Sequence, residues 1–205
     1  MELTLFDKCV FEFIGTLILV LLGDGVCAAC TLEKSKAKGA GWVVITLAWG
    51  FAVMCGVFVA GPYSGAHLNP AVTLGLAVAG GFAWNAVLPY MAAQMLGGFA
   101  GALLVYLFYY DHFNASSQNP DGMLGVFCTM PAIEHKSINF ISELIATFVL
   151  VFCILALGTM VPIMSSARRI EKKMEIRVIS LINYQINPCC QNRADKRAEY
   201  RNPAV

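Results

Sequence analysis

Four long apolar runs constrain this chain more than any other feature of its sequence. They lie at about 9–30, 42–61, 82–110 and 138–164. A helix needs about 20 apolar residues to cross a bilayer core. Unpaired backbone groups in lipid cost several kcal/mol, and no alternating pattern typical of a barrel is present. We therefore expect an all-α integral membrane protein with four transmembrane helices.

Charged residues divide the chain into two parts. Residues 1–164 hold five Lys or Arg and nine Asp or Glu, whereas residues 165–205 hold nine Lys or Arg and four Asp or Glu. We expect a membrane domain over 1–164 and a basic cytoplasmic tail over 165–205. This composition fits a soluble enzyme, a disordered protein or a nucleic-acid-binding domain poorly. Because Lys and Arg favour the cytoplasmic side, the tail predicts that both termini are cytoplasmic.

The segment SGAHLNPAVT, residues 64–73, lies between the second and third runs and carries no charge. Asn69 followed by Pro70 is typical of a helix start, because Asn caps free N–H groups and Pro is tolerated at the first helical position. A helix over about 69–80 would be roughly 18 Å long, little more than half of a core of about 30 Å. We expect a re-entrant half-helix that begins near mid-membrane. The alternative is a cytoplasmic loop with a short amphipathic helix.

In a re-entrant geometry, the backbone before the half-helix would line a cavity, because bare carbonyl groups are tolerated at that depth only there. Asn69 would direct amide donors into this cavity. The positive end of the helix dipole would oppose cations and protons while tolerating neutral solutes that carry hydroxyl groups. The expected ladder of acceptors comprises the carbonyl groups of Gly65, Ala66, His67 and Leu68.

An internal repeat supports the prediction of a re-entrant half-helix. The sequence EFIGTLILV from Glu12 resembles ELIATFVLV from Glu143, 131 positions later. Channel and transporter folds often contain inverted repeats with the site at their interface. Glutamates inside a membrane are costly and by default functional, so we expect each carboxylate to support a half-helix loop. The alternative for Glu12 is a carboxylate at the interfacial edge of its span.

The sequence resembles the major intrinsic protein (aquaporin) family over about residues 6–160. The resemblance is carried by the segment 64–73 and by Glu12 and Glu143 near the starts of the first and fourth apolar runs. The resemblance is narrower to bacterial glycerol uptake facilitators (aquaglyceroporins). It implies a passive channel for glycerol, other small neutral polyols and water, with no enzyme activity, cofactor or metal. The family's hourglass fold and homotetramer would lie in the inner (plasma) membrane. The motif residues at the pore centre would be Asn69, Pro70 and Ala71.

The resemblance also implies a role for Trp49 in the second run. Glycerol-conducting members place a Trp in the narrowest constriction, where it forms an apolar wall for the carbon backbone of a polyol. In the third run, Gly97 and Gly101 are four positions apart, which predicts a helix-packing surface.

The second half of the family's pattern is incomplete in this sequence. Members continue with a fifth span, a second half-helix opened by an Asn-Pro-Ala-Arg-like motif and a sixth span, whereas residues after Gly158 are charged and lack glycine. We therefore expect a truncation or a reading-frame change near residue 160, which leaves a non-conducting half-channel fragment as an alternative. An intramembrane hydrolase that uses Ser64 or His67 is a remote alternative, because no second intramembrane His or Asp is positioned as a partner.

Overall fold

A computed structural model of the chain describes residues 3–156, which form seven helices and no strands. In chain order these are α1 (Leu5–Thr31), α2 (Trp42–Ser64), α3 (Pro70–Val78), α4 (Trp84–Phe108), α5 (Tyr110–Ala115), α6 (Pro120–Phe127) and α7 (Lys136–Ala156). Helices α1, α2, α4 and α7 are long and apolar enough to cross a membrane. The prediction of an all-α protein with four such helices is confirmed. The predicted tail, 165–205, and the end of the predicted fourth span, 157–164, lie outside the described residues.

Helix α1 begins at Leu5, earlier than the apolar run predicts. The Thr4 hydroxyl accepts a hydrogen bond from the Asp7 backbone N–H at 3.2 Å, and the Asp7 carboxylate accepts one from the Thr4 N–H at 2.9 Å. This reciprocal capping box satisfies two N–H groups that the first helical turn leaves free. Because the charged residues Asp7 and Lys8 follow Leu5 and Phe6, hydropathy alone misses the first turn of α1.

Helix α2 runs through Pro62 to Ser64, three residues beyond the predicted end of its apolar run. Proline past the first turn removes one backbone hydrogen bond and crowds the carbonyl four residues before it, yet α2 continues for two residues beyond Pro62. Gly65 ends the helix with a φ of 88°, and its N–H donates to the Gly61 carbonyl at 3.2 Å. The helix therefore ends at a glycine that adopts the left-handed conformation, not at the proline.

Helix α1 packs against both α2 and α4. Its contact with α4 depends on two glycines one helical turn apart. A Cβ atom at Gly101 would lie 2.7 Å from the Leu17 carbonyl oxygen, and one at Gly97 would meet the Phe13 carbonyl oxygen more closely still. Backbones can approach this closely only where side chains are absent. The packing surface expected at Gly97 and Gly101 therefore joins two helices of the same chain.

Helix α3 has nine residues and is about 13 Å long. The Asn69 side chain caps its first turn, and Pro70 is its first residue. At the other end the Gly80 N–H donates to Ala77 and the Gly81 N–H to Leu76, with Gly80 at a φ of 77°. This pair of bonds closes the helix in a Schellman motif. The helix is therefore shorter than the predicted 69–80 and far too short to cross a bilayer.

The N-terminus of α3 meets α1 well inside the length of that helix. Helix α1 has 27 residues and extends about 40 Å. The Leu68 side chain packs on Gly15, where a Cβ atom would lie only 2.6 Å from Leu68 Cδ2. Gly15 lies about 15 Å from the start of α1, counted at 1.5 Å per residue. The segment before α3 thus turns back into the helix bundle, which is the geometry of a re-entrant half-helix and excludes a loop outside the bundle.

Helices α5 and α6 were not expected from the sequence. They pack with the ends of α1 and α4 in a small apolar core of buried side chains, namely Ala28, Leu32, Val105, Phe113 and Val126. Helix α6 begins with the signal that marks α3: Asn119 caps the Gly122 N–H at 3.0 Å, and Pro120 is its first residue. The Asn-Pro pair therefore predicts a helix start. The apolar content of the neighbouring sequence decides how deep inside the helix bundle that helix lies.

Candidate functional site

A single buried carboxylate organises the loop between α2 and α3. Glu12 is fully buried in α1. Its Oε1 accepts hydrogen bonds from the Ser64 hydroxyl at 2.6 Å and the His67 N–H at 2.9 Å. Its Oε2 accepts from the Leu68 N–H and the Gln94 amide, both at 2.8 Å. A carboxylate has about four lone-pair positions, so Glu12 is saturated by donors from α2, the loop and α4.

A second polar group, the Thr73 hydroxyl on α3, completes this network. It donates to the Asn69 carbonyl at 3.1 Å and accepts from the Gln94 amide at 2.9 Å. Its remaining lone pair faces His67 Nδ1 at 3.2 Å. With the Thr73 hydrogen on the Asn69 carbonyl, this contact is made by the His67 tautomer that carries its proton on Nδ1. Gln94 therefore ties the carboxylate of Glu12 to the first turn of the half-helix.

The loop backbone adopts a conformation that needs this support. Gly65 has a φ of 88°, and the non-glycine residues Ala66 and Leu68 have φ values of 51° and 52°. Left-handed backbone costs a residue with a Cβ atom about 1–2 kcal/mol. The hydrogen bonds that the N–H groups of His67 and Leu68 donate to Glu12 offset that cost.

The same bonds fix the direction of the loop carbonyl groups. The Ala66 N–H donates to the Ser64 hydroxyl at 3.1 Å, and the next two N–H groups donate to Glu12. In a planar trans peptide, the carbonyl points opposite to the N–H of the following residue. The carbonyl groups of Ala66 and His67 therefore point away from Glu12, and that of Gly65 points away from the Ser64 hydroxyl. Neither these carbonyls nor that of Leu68 accepts a hydrogen bond within residues 3–156.

Asn69 uses one end of its side chain and leaves the other available. Its Oδ1 accepts from the Ala71 N–H at 2.8 Å, which caps α3. Its Nδ2 makes no hydrogen bond within the described part of the chain, and the residue is only partly buried. The two amide hydrogens are therefore free donors at the N-terminus of the half-helix, where the helix dipole is positive.

Trp49 lies farther along the bundle, at a different level from the loop. Its ring rests on Gly23 of α1, and its indole N–H donates to Cys27 Sγ at 3.3 Å. Gly23 is eight residues beyond Gly15, or about 12 Å along α1. Trp49 borders an open cavity of about 680 Å³ between α1, α2 and residues 122–130.

The structure brings most of the predicted site residues together. Glu12, the loop residues Gly65 to Leu68, Asn69, Pro70 and Ala71 form one continuous cluster, and Trp49 borders a separate cavity. Glu143 does not join them. It lies exposed on α7, and its side chain makes no hydrogen bond to any residue from 3 to 156. The support expected from Glu143 stays a prediction.

Four polar residues support the loop in a way that was not predicted from the sequence, although Ser64 had been named as a remote hydrolase candidate. Ser64, Thr73 and Gln94 bind each other or Glu12, and the buried Tyr90 hydroxyl donates to the Ser64 carbonyl at 2.9 Å. Of these four residues, Gln94 could have been identified from the sequence, because an uncharged polar residue in the middle of an apolar run needs a hydrogen-bond partner. The others are ambiguous by sequence, since Ser, Thr and Tyr occur in many membrane helices without such a role.

The site offers hydrogen-bond acceptors and donors, but not the arrangement of a hydrolase. The Ser64 hydroxyl donates to Glu12, while His67 Nδ1 contacts Thr73. The His67 ring packs against Phe82 and Tyr90 at centroid distances of 4.6 and 5.1 Å. A nucleophile must face its base within hydrogen-bond reach, and Ser64 and His67 have different partners. The geometry instead suits a neutral molecule that donates and accepts hydrogen bonds.

Comparison with known proteins identifies several relatives. The family model described as Major intrinsic protein matches residues 1–194. Glycerol uptake facilitator protein 3 of Lactiplantibacillus plantarum is 59% identical over 145 residues, which cover 71% of this chain and 60% of that protein. The probable glycerol uptake facilitator protein of Thermotoga maritima is 49% identical over 147 residues, covering 72% of this chain and 62% of that protein.

A solved structure is also similar. The X-ray structure of the aquaglyceroporin from Plasmodium falciparum superposes with a TM-score of 0.53 at 33% sequence identity. The superposition covers 58% of this chain and 48% of that one. The aligned part of the chain spans about three fifths of the length of the two glycerol uptake facilitator proteins, 60% of one and 62% of the other.

Proposed function

Because the chain belongs to the major intrinsic protein family, we propose that it is a passive channel for glycerol or other small neutral polyols and for water. The names of its relatives support this proposal. Membership of this family favours a channel over an enzyme. The apolar helices and the family place the protein in a lipid bilayer as a multi-pass protein.

The observation that carries the proposal is the saturation of Glu12. Two of its four hydrogen bonds come from the loop N–H groups of His67 and Leu68, which leaves the carbonyls of Ala66 and His67 directed away from Glu12. Unpaired carbonyl groups at this depth need a hydroxylic partner. A polyol or a water molecule can donate to them and can accept from the free amide of Asn69. The positive end of α3 would oppose a cation at the same point.

In this mechanism Trp49 serves as an apolar wall. The carbon backbone of a polyol would slide along the indole face while its hydroxyl groups meet polar groups on the other side of the path. The hydrogen bond to Cys27 and the contact with Gly23 support this role, because they hold the ring in one orientation.

Further parts of the proposal concern the whole assembly. Glu143 would support a second half-helix as Glu12 supports the first. The protein would form a homotetramer in the inner (plasma) membrane, with both termini cytoplasmic. The basic residues of 165–205 favour that orientation. Cysteine crosslinking and labelling of the two termini in intact cells, compared with lysed cells, would test these points.

Asn69→Asp is expected to lower the glycerol permeability of liposomes containing the 205-residue chain by about tenfold. Aspartate caps a helix as well as asparagine does, so α3 keeps its start. The substitution removes both amide donors and adds a negative charge at the half-helix tip. Stopped-flow swelling in a glycerol gradient measures the effect. An unchanged swelling rate would remove Asn69 from the conduction path.

Trp49→Ala is expected to relax selectivity toward larger polyols. Removing the indole widens the cavity beside Gly23 and deletes the apolar wall. The ratio of swelling rates in ribitol and glycerol should rise, by about threefold on the loss of one well-packed contact. A constant ratio between wild type and variant would argue against a filter role for Trp49.

A non-conducting half-channel is the second candidate function. The sequence after Gly158 is charged and lacks glycine, and this composition favours the alternative. Such a protein would keep the loop and cavity without completing a path. The wild-type swelling measurement separates the two candidates, because only the channel raises glycerol flux above that of protein-free liposomes.

A further inference from the structure

A second acidic residue lies inside α1, and the loop network does not use it. Asp24 is only 7% exposed and borders the cavity that Trp49 also borders. It lies seven residues before the end of α1 at Thr31, or about 10 Å inside that helix. Trp49 lies equally far inside α2, so the two side chains are at the same level of the bundle.

The Asp24 carboxylate has no hydrogen-bond donor among the residues that the structure describes. Within residues 3–156 it makes no hydrogen bond and no ion pair. A buried polar group without a partner is costly, and a carboxylate is the costliest kind. Glu12 shows the contrast on the same helix, because four protein donors saturate it. The donors that stabilise Asp24 must therefore come from molecules inside the cavity.

The cavity has the size and lining for an amphipathic guest. Its volume of about 680 Å³ is far larger than that of one water molecule. One part of its wall is apolar, and the residues there include Trp42, Ile45, Trp49, Val126, Phe127 and Met130. Among the described residues that line the cavity, Asp24 is the only charged one. A molecule with a carbon backbone on one side and hydroxyl groups on the other satisfies both surfaces.

We propose that Asp24 is a specificity-determining residue that binds adjacent hydroxyl groups of a polyol at the level of Trp49. The two carboxylate oxygens accept from two neighbouring hydroxyls, while the carbon backbone lies against the indole. A solute with one hydroxyl uses only one of these acceptors. The site therefore favours polyols with vicinal hydroxyls over simple alcohols. The physiological meaning of this preference rests on the proposed channel function.

Equilibrium binding tests the proposal without requiring flux. The full 205-residue chain, wild type or variant, is placed in lipid nanodiscs, and saturation-transfer NMR follows titrations with glycerol and with 1-propanol. Asp24→Leu should raise the dissociation constant for glycerol by about tenfold and leave that for 1-propanol unchanged. Asp24→Asn keeps one acceptor oxygen and nearly the same shape, and should raise the glycerol value by about threefold.

Thr46→Val is the matched control. Thr46 also borders the cavity, but its hydroxyl donates to the Val43 carbonyl of its own helix at 3.1 Å. Its loss should leave the glycerol dissociation constant unchanged. Circular dichroism and gel filtration check that each variant folds, and the near-isosteric Asp24→Asn decides the question if Asp24→Leu does not fold.

Several results would overturn the assignment of Asp24. These are an absence of saturable glycerol binding by the wild type, equal glycerol affinity in wild type and both Asp24 variants, or equal weakening of glycerol and 1-propanol. Swelling of liposomes that contain the wild type is measured separately. Binding that depends on Asp24 without swelling would overturn the channel proposal alone, whereas swelling with binding independent of Asp24 would overturn this inference alone.

Discussion

Glu12→Gln is expected to destabilise the folded protein by about 3–5 kcal/mol and to abolish glycerol flux. Both Glu12 oxygens accept two hydrogen bonds each, from Ser64 and His67 on one side and from Leu68 and Gln94 on the other. Glutamine has the same shape but replaces one oxygen with an amide group. Whichever way the amide turns, its N–H groups face a backbone N–H, that of His67 or that of Leu68, which cannot accept a hydrogen bond. The loop then loses the bonds that hold its left-handed residues.

Two measurements check this expectation for Glu12. Unfolding in mixed micelles, titrated with sodium dodecyl sulfate, gives the change in stability, and stopped-flow swelling gives the glycerol flux. Glu134→Gln is the matched control, because it makes the same chemical change at an exposed loop residue without a hydrogen bond in the described chain. Equal stability of the Glu12→Gln and Glu134→Gln variants would contradict a supporting role for the buried carboxylate.

Gly97→Ala is expected to destabilise the bundle by about 1–3 kcal/mol, although it adds a single methyl group. The added Cβ atom would collide with the Phe13 carbonyl oxygen and approach its backbone carbon at 3.1 Å. These are backbone atoms of α1, which cannot move aside as a flexible side chain would. Helices α1 and α4 must separate, and Gln94, one turn before Gly97, then draws away from Glu12.

Gly98→Ala on the same helix provides the comparison. A Cβ atom there would meet only Val20 Cγ2 at 3.8 Å, an ordinary contact. Alanine favours helix over glycine by up to about 1 kcal/mol, so this variant should be as stable as the wild type or more so. Thermal unfolding followed by circular dichroism distinguishes the two variants. Similar melting temperatures for both would show that the α1–α4 contact is looser than the structure describes.

Much of the fold is predictable from the sequence because a lipid environment permits few backbone structures. Apolar runs of sufficient length must become helices, and the Asn69-Pro70 pair sets the start of α3. The helix ends were less predictable, since local hydrogen bonds decide them: the box of Thr4 and Asp7 lengthens α1, and the Gly80 motif shortens α3. Helices α5 and α6 escaped prediction because they are short and obtain their stability from tertiary contacts.

The candidate site was predictable only in part. A carboxylate in an apolar run must find donors, which made Glu12 a clear candidate. Which donors it finds depends on distant parts of the chain: Ser64 is 52 residues away and Gln94 is 82 residues away. Periodicity within one helix cannot reveal such pairs. The same limit applies to Asp24, because a sequence shows the acid without showing the cavity beside it.

The chain order of the Glu12 partners has a consequence for biosynthesis. Glu12 leaves the ribosome first, the left-handed loop follows, and Gln94 comes last. When the loop enters the membrane, the acceptor for its His67 and Leu68 N–H groups is therefore already in place on a completed helix. The fourth bond, from Gln94, forms only after α4 has inserted. Insertion of α4 thus completes the set of hydrogen bonds at Glu12 after the loop is already in place. In a nascent chain that is halted before residue 94, Glu12 would accept three hydrogen bonds instead of four.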